Sequence, residues 1–412
     1  MKLPREISSL LSGIGLFLVA VIACVAHTIA WTEDRAMHEV CRLIRSEYYK
    51  SGEPKVQNFL NECDQSTSDI SFSRTDAIKH INRKLSAIRT SHLSVFSPSE
   101  NRWLWEHQGS DTGLRARMIE GEVIVIQVLP NSPAALMELK VGDVIVAING
   151  ESPESVEAVQ GSSGNFKYSR AGKFFETNLY LADLIDDMSP QLVPLANGIA
   201  ILKIPSFLPQ YFEQDRWREL AMKLNSYRGL IIDLRENAGG SFPAMLRTLS
   251  PFMCEKKAIG SLWRTARKES VRELEMKDEL SAESQLALLA QSDSLVLKTF
   301  EGYGCFEGNA IVLVDDGTSS VSEIFAHALL KQPRVKVWGT PTAGQVVMAR
   351  WYSLGTLGGG DFAISIPIAG YRAVDGATIE SEGVIPQKEL QYDLSRALRG
   401  EDSWITNAVV SF

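Results

Sequence analysis

From Gly198 onward the chain alternates apolar strands with amphipathic helices, and this alternation constrains the fold more than any other feature. Residues 198–204, 229–234, 309–314, 335–339 and 362–368 read as strands, and 209–227, 242–254 and 320–330 as helices. Alternation of this kind implies an α/β layer with a mixed sheet. The charged stretch 266–299 reads as a helical excursion from this layer. Before it, 32–90 read as helical, with apolar residues three and four apart at 36–49 and 74–88 and a polar stretch at 65–73. Residues 110–185 have a different texture. A Val/Ile-rich strand (122–129) ends in Pro-Asn-Ser-Pro, then come a short helix (134–139), a turn (140–143) and a strand (144–148) closed by Asn149-Gly150. The fold class is α/β (α+β) and multidomain: a helical N-terminal segment, a small β domain and a mixed-sheet α/β core.

Composition narrows the function. With 412 residues, 45% hydrophobic and 22% charged, the chain has room for two or three globular domains. Its 42 basic residues face 50 acidic ones, with no basic run, which argues against a nucleic-acid partner. Six His and five Cys, without CxxC or HExxH, imply neither a metal site nor a cofactor.

The N-terminus reads as an export signal. Lys2 and Arg5 precede residues 10–30, which hold no Asp, Glu, Lys or Arg. Thr28-Ile29-Ala30 offers a cleavage site; an uncleaved anchor in the inner membrane and a lipoprotein acylated at Cys24 are the alternatives. Each sends the rest of the chain across a membrane, into the bacterial periplasm. The other cysteines agree, because an oxidising compartment favours disulfides. Proximity along the chain pairs Cys41 with Cys63 and Cys254 with Cys305; four buried thiols are the alternative.

Two loops carry candidate chemistry. Asp233-Leu234-Arg235-Glu236-Asn237-Ala238-Gly239-Gly240 ends an apolar strand, and its paired glycines let backbone N–H groups approach a ligand. Asp316-Gly317-Thr318-Ser319-Ser320-Val321-Ser322-Glu323 opens a helix, whose free N–H groups suit a nucleophilic Ser and an oxyanion. An ordinary N-cap is the bland reading of the second loop.

Residues 132–150 (Ser-Pro-Ala-Ala … Val-Gly-Asp-Val-Ile-Val-Ala-Ile-Asn-Gly) resemble the PDZ pattern. The resemblance makes Gly113-Leu114-Arg115 the loop that holds a peptide's terminal carboxylate while the peptide adds as a strand. Together with the two loops and Gly339-Thr340-Pro341-Thr342-Ala343-Gly344, it makes the chain resemble the C-terminal processing (tail-specific) serine peptidases from about Ser91 onward. The resemblance implies a serine peptidase core with Ser320 as nucleophile and oxyanion donors at the N–H of Val321 and in the Gly239–Gly240 loop.

One departure matters. Many members of that family place a Lys 25 residues after the Ser; here that position is Gln345, and no Lys lies between 337 and 387. An amide is no general base near neutral pH. The tricorn-core branch, with a Ser/His/Ser/Glu tetrad, supplies the alternative. Thr90-Ser91-His92 precedes the PDZ segment, and Glu380 opens an E-x-x-G-V-x-P pattern 60 residues after Ser320. By resemblance His92 takes the proton from Ser320, Ser91 orients His92, and Glu380 holds Ser91. His327 lies roughly 10.5 Å along the helix from Ser320, at 1.5 Å per residue, and reads as a packing residue.

The expected organisation is a signal or anchor (1–31), a helical region leading into the core (32–108), a PDZ domain (109–190) and a peptidase core (191–412). The expected partners are polypeptides with accessible apolar C-termini. The apolar tail Ala408–Phe412 suggests a homo-oligomer in which it reaches a neighbouring PDZ domain. A catalytically inactive PDZ scaffold for peptides is the alternative function, and a site for a small apolar ligand a weaker third.

Overall fold

The computed structural model describes residues 36–65, 74–156, 158–264, 272–357 and 362–412. The expected export segment and most of the polar stretch at 65–73 lie outside the described residues. No helix among the described residues is long and apolar enough to cross a membrane.

The chain divides into two units. Among the described residues, those within Met1–Asn101, Arg264–Ala266 and Val347–Gly370 form the first, and those within Arg102–Trp263, Arg267–Val346 and Tyr371–Phe412 the second. In the first unit, helices at 36–47, Pro54–Gln65 and Arg74–Leu85 share one apolar core. The i, i+3 and i+4 spacing of Val40, Ile44, Ile78, Ile81 and Leu85 turns these side chains onto the buried faces. A disulfide between Cys41 and Cys63 joins the first two helices. The strand Ser94–Phe96 pairs antiparallel with residues 363–365, which also pair with Met348–Ser353. The helix Pro54–Gln65 falls within the stretch 32–90 read as helical, although its charged and amide residues dilute its apolar spacing.

The second unit holds a small β domain and a larger layered core. The β domain is a five-stranded antiparallel sheet of β1 (Leu114–Ile119), β2 (Glu122–Val128), β3 (Val144–Ile148), β4 (Gly164–Arg170) and β5 (Lys173–Leu179), in that order. Its core gathers alternate residues of these strands, among them Leu114, Ala116, Val123, Val125 and Phe166. The helix α1 (Pro133–Leu136) is capped by Ser132, whose Oγ accepts from the Ala135 N–H at 3.2 Å. Buried Asp143 accepts from Arg170 Nε at 2.6 Å and Nη2 at 2.7 Å, so its charge is paired.

The core is a six-stranded mixed sheet. Its strands are β6 (Gln191–Pro194), β7 (Ile199–Lys203), β8 (Gly229–Asp233), β9 (Asn309–Val314), β10 (Val335–Gly339) and β11 (Lys388–Glu389), in the order β11-β10-β9-β8-β7-β6. Only the β6–β7 pair is antiparallel. The connecting helices are α2 (Gln214–Leu224), α3 (Phe242–Met253) and α4 (Val321–Leu330). Phe325 of α4 meets Phe252 of α3 edge-on, with ring centroids 6.2 Å apart. The opposite face, bearing Ile231, Ile311, Leu313 and Trp338, is covered by α5 (Ser403–Val409) through Trp404 and Ala408. The tail expected to reach a neighbouring PDZ domain is therefore built into this core, with Phe412 against Gly229.

The expected helical excursion at 266–299 is corrected. Among the described residues of this stretch only Ala282–Gln291 is helical; Ser294–Lys298 is a strand paired antiparallel with Ala258–Trp263 and parallel with Glu273–Glu275. Period-2 alternation buries Leu295 and Leu297, a signal masked by the charged flanks. Cys254 and Cys305 form the second disulfide, closing a separation of 51 residues.

Candidate active site

Ser320 sits where the turn after β9 enters α4. Its backbone is at φ 62°, ψ −131°, a region that L-residues rarely occupy and that costs about 1–3 kcal/mol. The surroundings hold it there. Its N–H donates to Glu323 Oε2 at 3.1 Å, and the neighbouring Ser319 N–H donates to Asn237 O at 3.0 Å. Gly239, at φ +100°, lies so close that a Cβ on it would stand 2.6 Å from Ser320 Cβ and 3.0 Å from Oγ. Only glycine allows the two loops to approach this closely.

The donors around Ser320 differ from the sequence reading in one respect. The Gly239 N–H already donates to Asn237 Oδ1 at 2.9 Å, so it does not serve a substrate oxygen. Gly240 bridges in parallel to Phe207. Gly239 O and the Ser241 N–H take that contact, which turns the Gly240 N–H away from Phe207. The N–H of Val321, at the first helical position, has no partner inside its helix. Neither the Gly240 N–H nor the Val321 N–H has an acceptor among the described residues.

Glu323 is fully buried and accepts four hydrogen bonds. They come from Ser320 N–H, Thr342 Oγ1 at 2.5 Å, Gly344 N–H at 2.7 Å and Gln345 N–H at 2.7 Å. Burial pushes its carboxyl above the usual range, and these donors hold it back. Glu380 Oε2 accepts from the Val346 N–H at 2.7 Å, and the Ser381 N–H donates to Gly344 O at 2.8 Å. Two carboxylates therefore fix the 342–346 loop beside the start of α4, while the side chain of Gln345 is exposed.

Ser91 and His92 belong to the first unit. His92 is left-handed, at φ 57°, and its Nδ1 lies 3.2 Å from Ser91 Oγ. Ser365 Oγ donates to His92 O. Just beyond, Asn82 Nδ2 donates to Val95 O at 2.9 Å and Asn82 Oδ1 accepts from the Val95 N–H at 2.7 Å, which clamps the strand after the turn. His327 lies 3.6 Å from Asp375 Oδ2, which also takes Lys331 Nζ at 2.9 Å; burial lowers its affinity for a proton.

The expected carboxylate loop of the β domain is engaged internally. The Gly113 N–H donates to Asp111 Oδ1 at 2.5 Å, Arg115 pairs with Asp111 and Asp186, and Leu114 is buried. β1 is an edge strand, which leaves room for an added strand.

Sequence reasoning missed Asp315 and the four donors that converge on Glu323. Asp315 is buried, and its Oδ1 accepts from the Glu236 N–H at 2.9 Å, tying the two loops together. The sequence signal was a carboxylate ending an apolar strand that enters a hydroxyl-rich turn.

Residues 198–390 match the model of Peptidase family S41, and 124–162 that of the PDZ domain. The core is an S41 peptidase core. The chain is similar to the carboxy-terminal processing protease CtpA of Bacillus subtilis, 26% identical over 67% of this chain and 54% of that protein. The chloroplastic carboxyl-terminal-processing peptidase 2 of Arabidopsis thaliana is 25% identical over 65% of this chain and 50% of its own length. The chain thus spans about half the length of these two relatives. Among solved structures, the photosystem II D1 C-terminal processing protease superposes with a TM-score of 0.51 at 18% identity, covering 89% of this chain and 96% of its own. Mature CPAF complexed with lactacystin gives 0.59 at 13%, covering 92% and 98%. These likenesses give the fold.

Proposed function

We propose that the chain is an exported serine endopeptidase that cleaves polypeptides through an acyl-enzyme on Ser320. The observation that carries this is the strained Ser320 backbone at a helix N-terminus, packed against Gly239 with the Gly240 and Val321 N–H groups unspent. Strain of this kind persists only where the surroundings over-determine it, and it clusters at reacting groups. Ser320 Oγ attacks the peptide carbonyl carbon, and its proton passes to His92. The oxyanion accepts from Gly240 and Val321. The C–N bond breaks as His92 returns the proton to the leaving amine, and water then hydrolyses the ester by the same route.

His92 is the base in this reading because the position of the family's Lys holds an exposed Gln345 whose N–H is spent on Glu323. Ser91 Oγ lies 3.2 Å from His92 Nδ1, where in this reading it orients the ring. Glu380 holds Ser91 in this scheme. The PDZ domain selects apolar C-termini, and an arriving carboxylate competes with Asp111 for the Gly113 N–H. Export to the bacterial periplasm, with or without an inner-membrane anchor at residues 10–30, fits the two bonded cysteine pairs.

The test is cleavage of an unfolded protein with an apolar C-terminus, followed by mass spectrometry of the fragments. Wild type and Gln345→Ala should cleave, and Ser320→Ala and His92→Ala should not. Retained cleavage in Ser320→Ala refutes the nucleophile; loss in Gln345→Ala with retention in His92→Ala refutes the base.

A further inference from the structure

One charged contact crosses from the PDZ domain to both loops of the candidate site. Arg117 is on β1, where Leu114 and Ala116 face the PDZ core. Its Nη2 donates to Asp315 Oδ2 at 2.9 Å and also to Glu236 Oε1. Its guanidinium lies over the Tyr392 ring, 4.6 Å from the centroid, and Tyr392 stacks on Trp404 at 4.4 Å. The side chain is only 15% exposed, so the charge is held in place and poorly screened.

The two carboxylates belong to the loops that form the site. Glu236 sits in the loop that ends in Gly239 and Gly240, with a left-handed backbone at φ 62°. Its side chain lies against Gly317, where an added Cβ would stand 2.6 Å from Oε2. Asp315 begins the turn that ends in Ser320. Its Oδ1 takes the Glu236 N–H, and its own N–H donates to Thr318 Oγ1 at 3.0 Å. Asn237 continues the tie, taking the Ser319 N–H on its carbonyl and the Ser322 hydroxyl, at 2.7 Å, on Oδ1. Asp315 and Glu236 repel each other, and the charge of Arg117, backed by Arg235, opposes the upward push that burial and Glu236 exert on Asp315.

We propose that Arg117 is a positioning residue for the reaction: by clamping Glu236 and Asp315 from the PDZ domain, it fixes the spacing between the Gly240 N–H and Ser320. The proposal rests on the serine peptidase reading. Without the guanidinium the two carboxylates move apart, and the motion passes through residues 236–239 to the glycine packed on Ser320. Substrate binding by the PDZ edge is untouched, so the loss falls on kcat. A displacement of about 1 Å at a reacting centre costs up to roughly 100-fold.

The experiment measures kcat and KM of the full chain on the same unfolded substrate for wild type, Ser320→Ala, Arg117→Gln, Glu236→Gln and Arg170→Gln. Arg170→Gln breaks the Asp143 pair inside the PDZ domain and controls for PDZ integrity. Arg117→Gln should lower kcat by about 10- to 100-fold with KM within roughly twofold. Glu236→Gln, at an exposed side chain, should lower kcat in the same direction, and Arg170→Gln should leave kcat unchanged. A kcat within twofold of wild type in Arg117→Gln overturns the proposal, as does an equal loss in Arg170→Gln. Should Arg117→Gln fail to fold, Glu236→Gln decides, and an unchanged kcat there overturns it. Wild-type activity that vanishes in Ser320→Ala shows that the peptidase reading stands whatever Arg117 does; an inactive wild type overturns both.

Discussion

Replacing Ser320 by Gly and by Ala should invert the usual order of stability. At an ordinary position Ala is more stable than Gly by about 0.5–1 kcal/mol, because Gly loses more freedom on folding. At φ 62°, ψ −131° the Ala variant keeps the strain of Ser, about 1–3 kcal/mol, and the Gly variant is released from it. The Ser320 N–H still donates to Glu323 in either variant, so the backbone difference dominates. The balance favours Gly by about 0.5–2 kcal/mol. For a folded unit of this size, 1 kcal/mol corresponds to about 2–4 °C, so Ser320→Gly should melt roughly 4 °C above Ser320→Ala. Differential scanning calorimetry of the full chain reads this directly, and both variants lack the nucleophile, so self-cleavage does not intervene. An Ala variant that melts at or above the Gly variant refutes the strained-nucleophile argument.

Other expectations follow from the same contacts. Glu323→Gln leaves one acceptor oxygen for four donors. Two lost hydrogen bonds to a charge, offset by the relieved burial cost, should destabilise the second unit by about 2–4 kcal/mol and abolish cleavage, as read by melting and activity. Burial and Glu236 push Asp315 up to about 6, against the pull of Arg117. The fold therefore favours its protonated form, and the associated stability is full below the unfolded value of 3.8 and lost as pH rises through about 6. Asp315→Asn should flatten that fall between about pH 4 and 6, and a melting profile with the wild-type slope would count against it. Replacing Cys254 and Cys305 by Ser opens a loop whose ends are 51 residues apart and should cost about 4 kcal/mol by chain entropy, read as a lower melting point than wild type without reductant.

Much of the fold was legible because the signals were local. The strands of the core sheet are apolar along their length, and their bounds are met to within about a residue at Asn309–Val314 and Val335–Gly339. Ser294–Lys298 was misread because its period-2 pattern is five residues long and sits among charges. The candidate nucleophile was visible as a hydroxyl-rich turn after a strand. Its left-handed backbone was not, since conformation there is imposed by Gly239 and Glu323 from other loops. The same holds for the donors: Gly239 and Gly240 are equivalent in sequence, and only the bond to Asn237 separates them. Arg117 and Asp315 are 198 positions apart, and no spacing rule joins a PDZ strand to a turn so distant.

The account rests on Ser320 being the activated nucleophile. The most direct test treats the full chain with a fluorophosphonate and maps the adduct by mass spectrometry. The account predicts a single adduct on Ser320, absent from Ser320→Ala and much slower in His92→Ala. No adduct, or one on another residue with Ser320 unmodified, contradicts it.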